Sequence, residues 1–164
     1  MNYKPILIVA GEPNSVFSEI FIKSLKRIKI KNPIILICSF QILKKQMNKL
    51  KLKKNIKILD PSKIGQYNLN NKVINLININ YNQKKAFQKI SSKSNKYIED
   101  CFNAAFKIIN REKIIKLING PISKKFFLKK KYLGMTEYIS NYFSKKDTCM
   151  LIYNKNLSVS PVTT

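Results

Sequence analysis

The run Pro5-Ile6-Leu7-Ile8-Val9-Ala10 has the length of a strand, no polar interruption, and a glycine where it stops. A strand with one face in water alternates apolar and polar residues. An unbroken apolar run is covered on both faces, as in parallel sheets flanked by helices. Pro33-Ile34-Ile35-Leu36-Ile37-Cys38 repeats the pattern. Residues 56–59, closed by Asp60-Pro61, and residues 73–79 and 114–118 add shorter strand-like stretches.

Helical spacings lie between these runs. Ser15 is placed to cap a helix with Phe17, Ile20, Phe21 and Leu25 on or near its buried side. A lysine-rich amphipathic helix is expected over 41–50. From 83 to 110 the pattern turns helical, with Tyr97, Ile98, Cys101, Phe102, Ala105, Ile108 and Ile109 spaced by one, three and four. Thr136 as a hydroxyl cap and Glu137 as an early acid suit the start of a helix running to Tyr142. Residues 65–71 read as a loop. Residues 148–153 and 157–162 read as two strands around a turn at Asn154-Lys155-Asn156. Strand and helix alternating in this way predict an α/β layered fold with a mostly parallel sheet.

Length and composition narrow the function classes. The 164 residues suffice for one domain with a core, and 45% hydrophobic content excludes a disordered tail. No run of about 18 apolar residues occurs, so no membrane span is expected. Met1-Asn2-Tyr3-Lys4-Pro5 carries no signal-peptide pattern, and a cytoplasmic protein is expected. Cys38, Cys101 and Cys149 are widely spaced among apolar neighbours and read as small core residues in a reducing compartment. The net charge of +24 would attract any polyanion. Its lysines, however, run from Lys4 to Lys155 without gathering on one arm, so it reads as solvated surface that favours an anionic ligand.

Three of the four glycines fall in short strings where chemistry can be placed. In Gly11-Glu12-Pro13 the glycine permits an unusual backbone angle and Glu12 can accept a hydrogen bond from a substrate; an ordinary strand-to-helix turn uses the same residues. The G-x-G-x-x-G dinucleotide pattern is absent. In Asn119-Gly120-Pro121-Ile122-Ser123-Lys124, Lys124 can meet a phosphate or carboxylate as a point charge, or simply be one of 32 basic residues. Gly134-Met135-Thr136-Glu137 offers a hydroxyl and backbone N–H groups at a helix start, as a ligand site or as a cap. The chain has no histidine, so no Ser-His-Asp, Cys-His or histidine-metal arrangement can form within it.

Taken together, the strings resemble the N-terminal half of the 4-hydroxythreonine-4-phosphate dehydrogenase family of vitamin B6 biosynthesis. That family opens with Gly-Asp/Glu-Pro and a following Glu, here Gly11-Glu12-Pro13 and Glu19. Its Thr/Asn-Gly-Pro-x-x-Lys loop corresponds to residues 119–124. Its Gly-His-Thr-Glu-Phe/Tyr string corresponds to Gly134-Met135-Thr136-Glu137-Tyr138, and its strand pair before Thr-Thr-His to residues 150–153 and 158–164.

The resemblance implies a three-layer α/β/α fold of the isocitrate/isopropylmalate dehydrogenase kind, truncated here, with residues 1–164 as the N-terminal half of a two-domain subunit. It implies NAD- or NADP-dependent oxidation of 4-phosphooxy-threonine, a small phosphorylated amino acid, with decarboxylation to 3-amino-2-oxopropyl phosphate. A homodimer and a divalent metal held by three histidines belong to that picture. The family's His-Thr substrate contact maps to Met135 and Thr136, with Glu12 and Lys124 as secondary candidates.

Two departures qualify what the resemblance carries over. Met135 replaces the family histidine, and Ser15-Val16-Phe17-Ser18 replaces a glycine-rich stretch. The metal histidines are expected beyond Thr164, so no catalytic residue is assigned here. This chain alone is expected to bind neither metal nor cofactor fully, and not to turn over. Two other readings stay open: a non-catalytic module that binds phosphate esters, and a basic nucleic-acid-binding domain.

Overall fold

The computed structural model describes residues 3–27, 29–114, 116–129, 131–144 and 148–161. It divides into two units, Met1–Ser123 and Lys124–Thr164.

The first unit contains β1 (Ile6–Val9), α1 (Phe17–Arg27), β2 (Ile34–Cys38), α2 (Phe40–Lys49), β3 (Ile56–Ile58), β4 (Ile74–Asn78), α3 (Asn95–Glu112) and β5 (Leu117–Asn119). Two short 3₁₀ turns, kinked at Lys63, occupy Pro61–Gln66, and a single one occupies Ser92–Ser94. The strands form one parallel sheet in the order β3-β4-β2-β1-β5. Register pairs Ile8 with Leu36 on one side and with Ile118 on the other.

Because side chains alternate across a strand, the three inner strands β1, β2 and β4 feed two cores, while Ile58 of β3 and Ile118 of β5 at the edges are exposed. Ile8 and Ala10, Ile34, Leu36 and Cys38, and Ile74 and Leu76 pack with Phe21 and Ile22 of α1 and Leu43 and Met47 of α2. Leu7, Val9, Ile35 and Ile37 are buried on the opposite face, where α3 packs against β1 and β2. Its buried stripe is Ile98, Cys101, Phe102, Ala105, Phe106 and Ile108. The result is the expected three-layer α/β/α arrangement with a wholly parallel sheet.

Several local expectations are corrected. Ile20 is 57% exposed, while Ser18 and Ile22 take the inner face of α1. Adjacent residues lie about 100° apart on a helix, and Phe21 claims the core direction. The Ser15 hydroxyl accepts from Phe17 N (3.3 Å), but the first helical bond runs from Ile20 N to Val16 O, so Val16 occupies the cap position. Residues 83–91 are irregular and α3 begins only at Asn95. Here Asn14 and Gln46 capture backbone groups: Asn14 Oδ1 accepts from Gln88 N (2.8 Å), and Gln46 Nε2 donates to Ala86 O (3.1 Å). β5 starts at Leu117, three residues after the buried Ile114; Ile115 lies outside the described residues.

The second unit opens with a π-helical turn, Lys124–Leu128, and carries α4 (Met135–Tyr142). Tyr138 sits edge-on to both Phe127 and Tyr132, at centroid distances of 5.3 and 5.4 Å, and Leu128 is buried. Among the described residues, the two strands expected near the end reduce to a single antiparallel bridge, Ile152 with Val159. Leu151, Tyr153 and Leu157 on this ribbon are exposed, so no packing extends the pairing. Val162, Thr163 and Thr164 lie outside the described residues. Cys149 is exposed, unlike the buried Cys38 and Cys101, because this ribbon has no core to enter.

Candidate functional site

In a parallel sheet, ligands are received beyond the carboxyl ends of the strands, at the point where strand order reverses. Here that point is β1, with β2 on one side and the last strand, β5, on the other. The loops leaving β1 and β5 are the glycine strings Gly11-Glu12-Pro13 and Gly120-Pro121. They are stitched together: Gly120 N donates to Val9 O (2.7 Å), and Glu12 N donates to Pro121 O (2.8 Å).

Both glycines are required by this contact. Gly11 has φ +74°, and a Cβ there would lie 2.4 Å from Pro121 O. A Cβ on Gly120 would lie 2.1 Å from Ala10 O and 2.8 Å from the Phe17 ring. No side chain fits either distance.

Glu12 is 2% exposed and turns inward. Oε1 accepts from Asn14 N (3.1 Å) and Asn14 Nδ2 (3.3 Å), and Oε2 accepts from Ser94 Oγ (2.8 Å). Three neutral donors thus satisfy a buried charge that would be costly if left bare. Asn14 continues the network, its Oδ1 accepting from Gln83 Nε2 (2.9 Å), and Gln46 Nε2 donates to Pro13 O (2.6 Å). Behind the loop is a cavity of only about 20 Å³, lined by Glu12, Ser18, Ser39, Gln46 and Tyr97 among others. It has room for about one water.

The floor beneath the loop is aromatic. Tyr81 and Tyr97 stack at 4.7 Å, and Tyr97 Oη accepts from Ser39 N (3.0 Å). Burial, then the Glu12 charge, pushes the Tyr81 phenol above its ordinary range. Burial, followed by the nearby Cys101 and Cys38, pushes Tyr97 further in the same direction.

The other candidates belong to the second unit. Met135 and Thr136 share the first turn of α4, both half-buried. Gly134 is the cap residue and makes no side-chain cap bond, so Thr136 stands inside the helix and not at its cap as expected. Glu137 lies in the first turn, where an acid complements the helix dipole. Lys124 is exposed at the start of the π-helical turn. The structure therefore brings Met135 and Thr136 together, puts Lys124 in the same unit, and places Glu12 in the first.

Sequence reasoning missed Ser94, Asn14 and Gln46, the residues that fix Glu12 and its loop. Gln46 carried a signal, being polar on the apolar face of α2 between Leu43 and Met47. Among the described residues no three His, Cys, Asp or Glu side chains cluster as metal ligands, and no helix is long and apolar enough to cross a membrane.

The sequence profile of the family described as "Pyridoxal phosphate biosynthetic protein PdxA" matches residues 29–164. The chain belongs to the PdxA family. A similar PdxA-type sequence is the 4-hydroxythreonine-4-phosphate dehydrogenase of Sulfurihydrogenibium sp. (strain YO3AOP1), 28% identical across 97% of this chain and 49% of that protein. The chain thus spans about half the length of the curated relative it matches. The fold is shared with the crystal structure of 4-hydroxythreonine-4-phosphate dehydrogenase from Burkholderia phymatum, at a TM-score of 0.81 and 19% identity over 98% of this chain and 50% of that one. The enzyme from Klebsiella pneumoniae matches with a TM-score of 0.79 and 18% identity over 96% and 49%. A putative one from Salmonella typhimurium gives 0.81 and 20% over 96% and 50%.

Proposed function

We propose that this PdxA-family chain supplies the N-terminal half of a 4-hydroxythreonine-4-phosphate dehydrogenase, which oxidises 4-phosphooxy-threonine with NAD or NADP before carbon dioxide is lost. The observation that carries the reading is the stitched pair of loops, Gly11-Glu12-Pro13 and Gly120-Pro121, at the switch point of the sheet. A rigid backbone floor of this kind holds neighbouring ligand groups without reorganisation.

Within the reading, Met135 and Thr136 stand at the substrate contact. The N–H groups at the start of α4 suit a negatively charged group, and the Thr136 hydroxyl can donate or accept. Met135 offers a thioether, a weak acceptor with no proton to give. The family's divalent metal does not fit the described residues, which provide no set of three ligands. Metal, and the chemistry it supplies to decarboxylation, are therefore assigned to residues other than those described.

The test mixes the purified chain with the remaining half of the Sulfurihydrogenibium relative, 4-phosphooxy-threonine, NAD⁺ or NADP⁺ and a divalent metal. Reduced nicotinamide should form only when both halves are present. A mixture that forms a stable complex of the two halves and still reduces no nucleotide would overturn the reading. Met135 favours a second one, a phosphate-ester-binding module without chemistry. It expects substrate binding by the chain alone that is indifferent to a chelator.

A further inference from the structure

A groove of about 440 Å³ opens beside β3, between the end of α2 and the start of that strand. Its volume lies in the range of small-ligand sites, about 300–1,000 Å³. β3 forms the sheet edge opposite β5, so the groove is about 14 Å, or three strand spacings, from β1 and the switch point.

The groove has two distinct chemistries. Its floor is apolar: Met47 is buried, while Phe40, Leu52 and Ile56 are half-buried and pack on the core behind them. Its rim carries Lys44, Lys53 and Lys54, with no acid among the lining residues. Lys44 Nζ lies 5.6 Å from the centre of the Phe40 ring, held over the floor by a cation–π contact.

No carboxylate of the first unit is bridged to these lysines. Glu12 is buried on Asn14 and Ser94. Glu19 pairs with Lys23, and Glu99 and Asp100 pair with Lys96. Asp60 accepts from Ser62, and Glu112 pairs with Arg111. These six are all the acids before residue 124. Lys44, Lys53 and Lys54 thus gather over an apolar floor with no acid of their own unit bridged to them, a combination that suits an anion with an apolar body.

We propose that this groove binds a small soluble amphipathic anion, an aliphatic or aromatic body with a phosphate or carboxylate head. The body covers the floor, removing apolar surface from water. The head meets the lysines, whose compact point charges suit either oxyanion. Neither half of such a ligand suffices, since inorganic phosphate leaves the floor wet and a neutral amphiphile leaves the lysines unpaired.

The test is calorimetric titration of the full chain with octyl phosphate below its micelle concentration, alongside inorganic phosphate and octyl glucoside. The Met47 methyl resonance serves as the positional readout. Saturable binding of octyl phosphate that shifts Met47, exceeds that of both controls and weakens about tenfold in K53A/K54A is expected. Lys44→Ala provides a second, independent loss. Three results would each overturn the proposal: unchanged affinity in both variants, an unmoved Met47 methyl, or a control that binds as tightly as octyl phosphate.

Discussion

Ser94 Oγ donates to Glu12 Oε2 at 2.8 Å, joining the turn that leads into α3 to the loop that leaves β1, across 82 residues of chain. The carboxylate is buried and its other bonds come from Asn14, so the serine is one of the few donors holding a charge away from water. Ser94→Ala should therefore destabilise the first unit by about 1–3 kcal/mol, since it strands part of a buried charged acceptor. Urea unfolding of the variant checks this. A loss smaller than about 0.5 kcal/mol, the level of an ordinary surface substitution, would mean that Glu12 does not depend on the bond.

The stitched loops make a sharper prediction. Gly120→Ala places a methyl 2.1 Å from the carbonyl oxygen of Ala10, a backbone atom at the end of the central strand. Relief requires moving β1 or β5, and a cost of about 3 kcal/mol is expected from forced repacking of this kind. Gly65→Ala is the control: its nearest atom is Glu112 Oε2 at 3.4 Å, ordinary contact with a movable side chain. Its stability should stay within about 0.5 kcal/mol of the parent. Equal losses at the two sites would refute the steric argument.

These residues also mark how far the sequence could be read. The parallel sheet was legible because an uninterrupted apolar run of strand length, bounded by turn residues, fits little besides a strand covered on both faces. The glycines after residues 5–10 and 114–119 marked the two loops that meet at the switch point, whose place rests on the strand order. The direction of Glu12 was not legible. A loop carboxylate can face a ligand or the interior, and the choice rests on Ser94, which is remote in sequence. The helix expected from residue 83 failed for a related reason: local spacing favoured it, but Asn14 and Gln46 take the backbone of Gln88 and Ala86 into a different path. At Ile20 an apolar residue beside the core direction of α1 looked internal, yet the helix phase follows Phe21 and Ile22.

Thiol chemistry should separate the three cysteines. Cys149 is exposed, while Cys38 and Cys101 are buried. Burial pushes Cys101 up to about 12, and burial followed by the neighbouring Cys101 pushes Cys38 upward as well. Folded protein should therefore show one rapidly alkylated thiol, with two more appearing only on unfolding. The same shifts set a pH dependence. Below about pH 9 these thiols are protonated in both states and their contribution is fully present; as pH rises towards about 12 the unfolded thiols ionise while Cys101 does not. Stability should fall across that window, and Cys101→Ala should flatten the slope. A slope unchanged by that substitution would assign the effect to other groups.

Lys51 ends α2 in the left-handed region, with φ 53°. Lys51 N donates to Asn48 O (3.2 Å) and Leu52 N donates to Met47 O (2.9 Å), the paired bonds of a Schellman turn. Glycine takes this conformation without the Cβ penalty, about 1–2 kcal/mol, but gives up some of that gain as extra freedom in the unfolded chain. Lys51→Gly should stabilise the protein by about 0.5–1 kcal/mol. A destabilised variant, measured in urea, would show that the lysine side chain itself supports the turn.

Met135 is the first residue of α4, beside Thr136 and after a cap residue that makes no side-chain bond. If this turn meets the substrate, the thioether leaves one of its oxygens without a proton donor. Met135→His puts an imidazole there. A histidine at a helix N-terminus is disfavoured as a cation, so it is held neutral and can donate from one ring nitrogen. Assayed in the reconstituted two-half mixture, the variant should raise kcat/KM by about tenfold, the equivalent of one hydrogen bond to a charged group. Helix content should stay unchanged, because the first turn tolerates histidine and Met135 is only half-buried. If the variant folds normally and kcat/KM does not rise, the start of α4 lies away from the substrate and the Met135–Thr136 assignment fails.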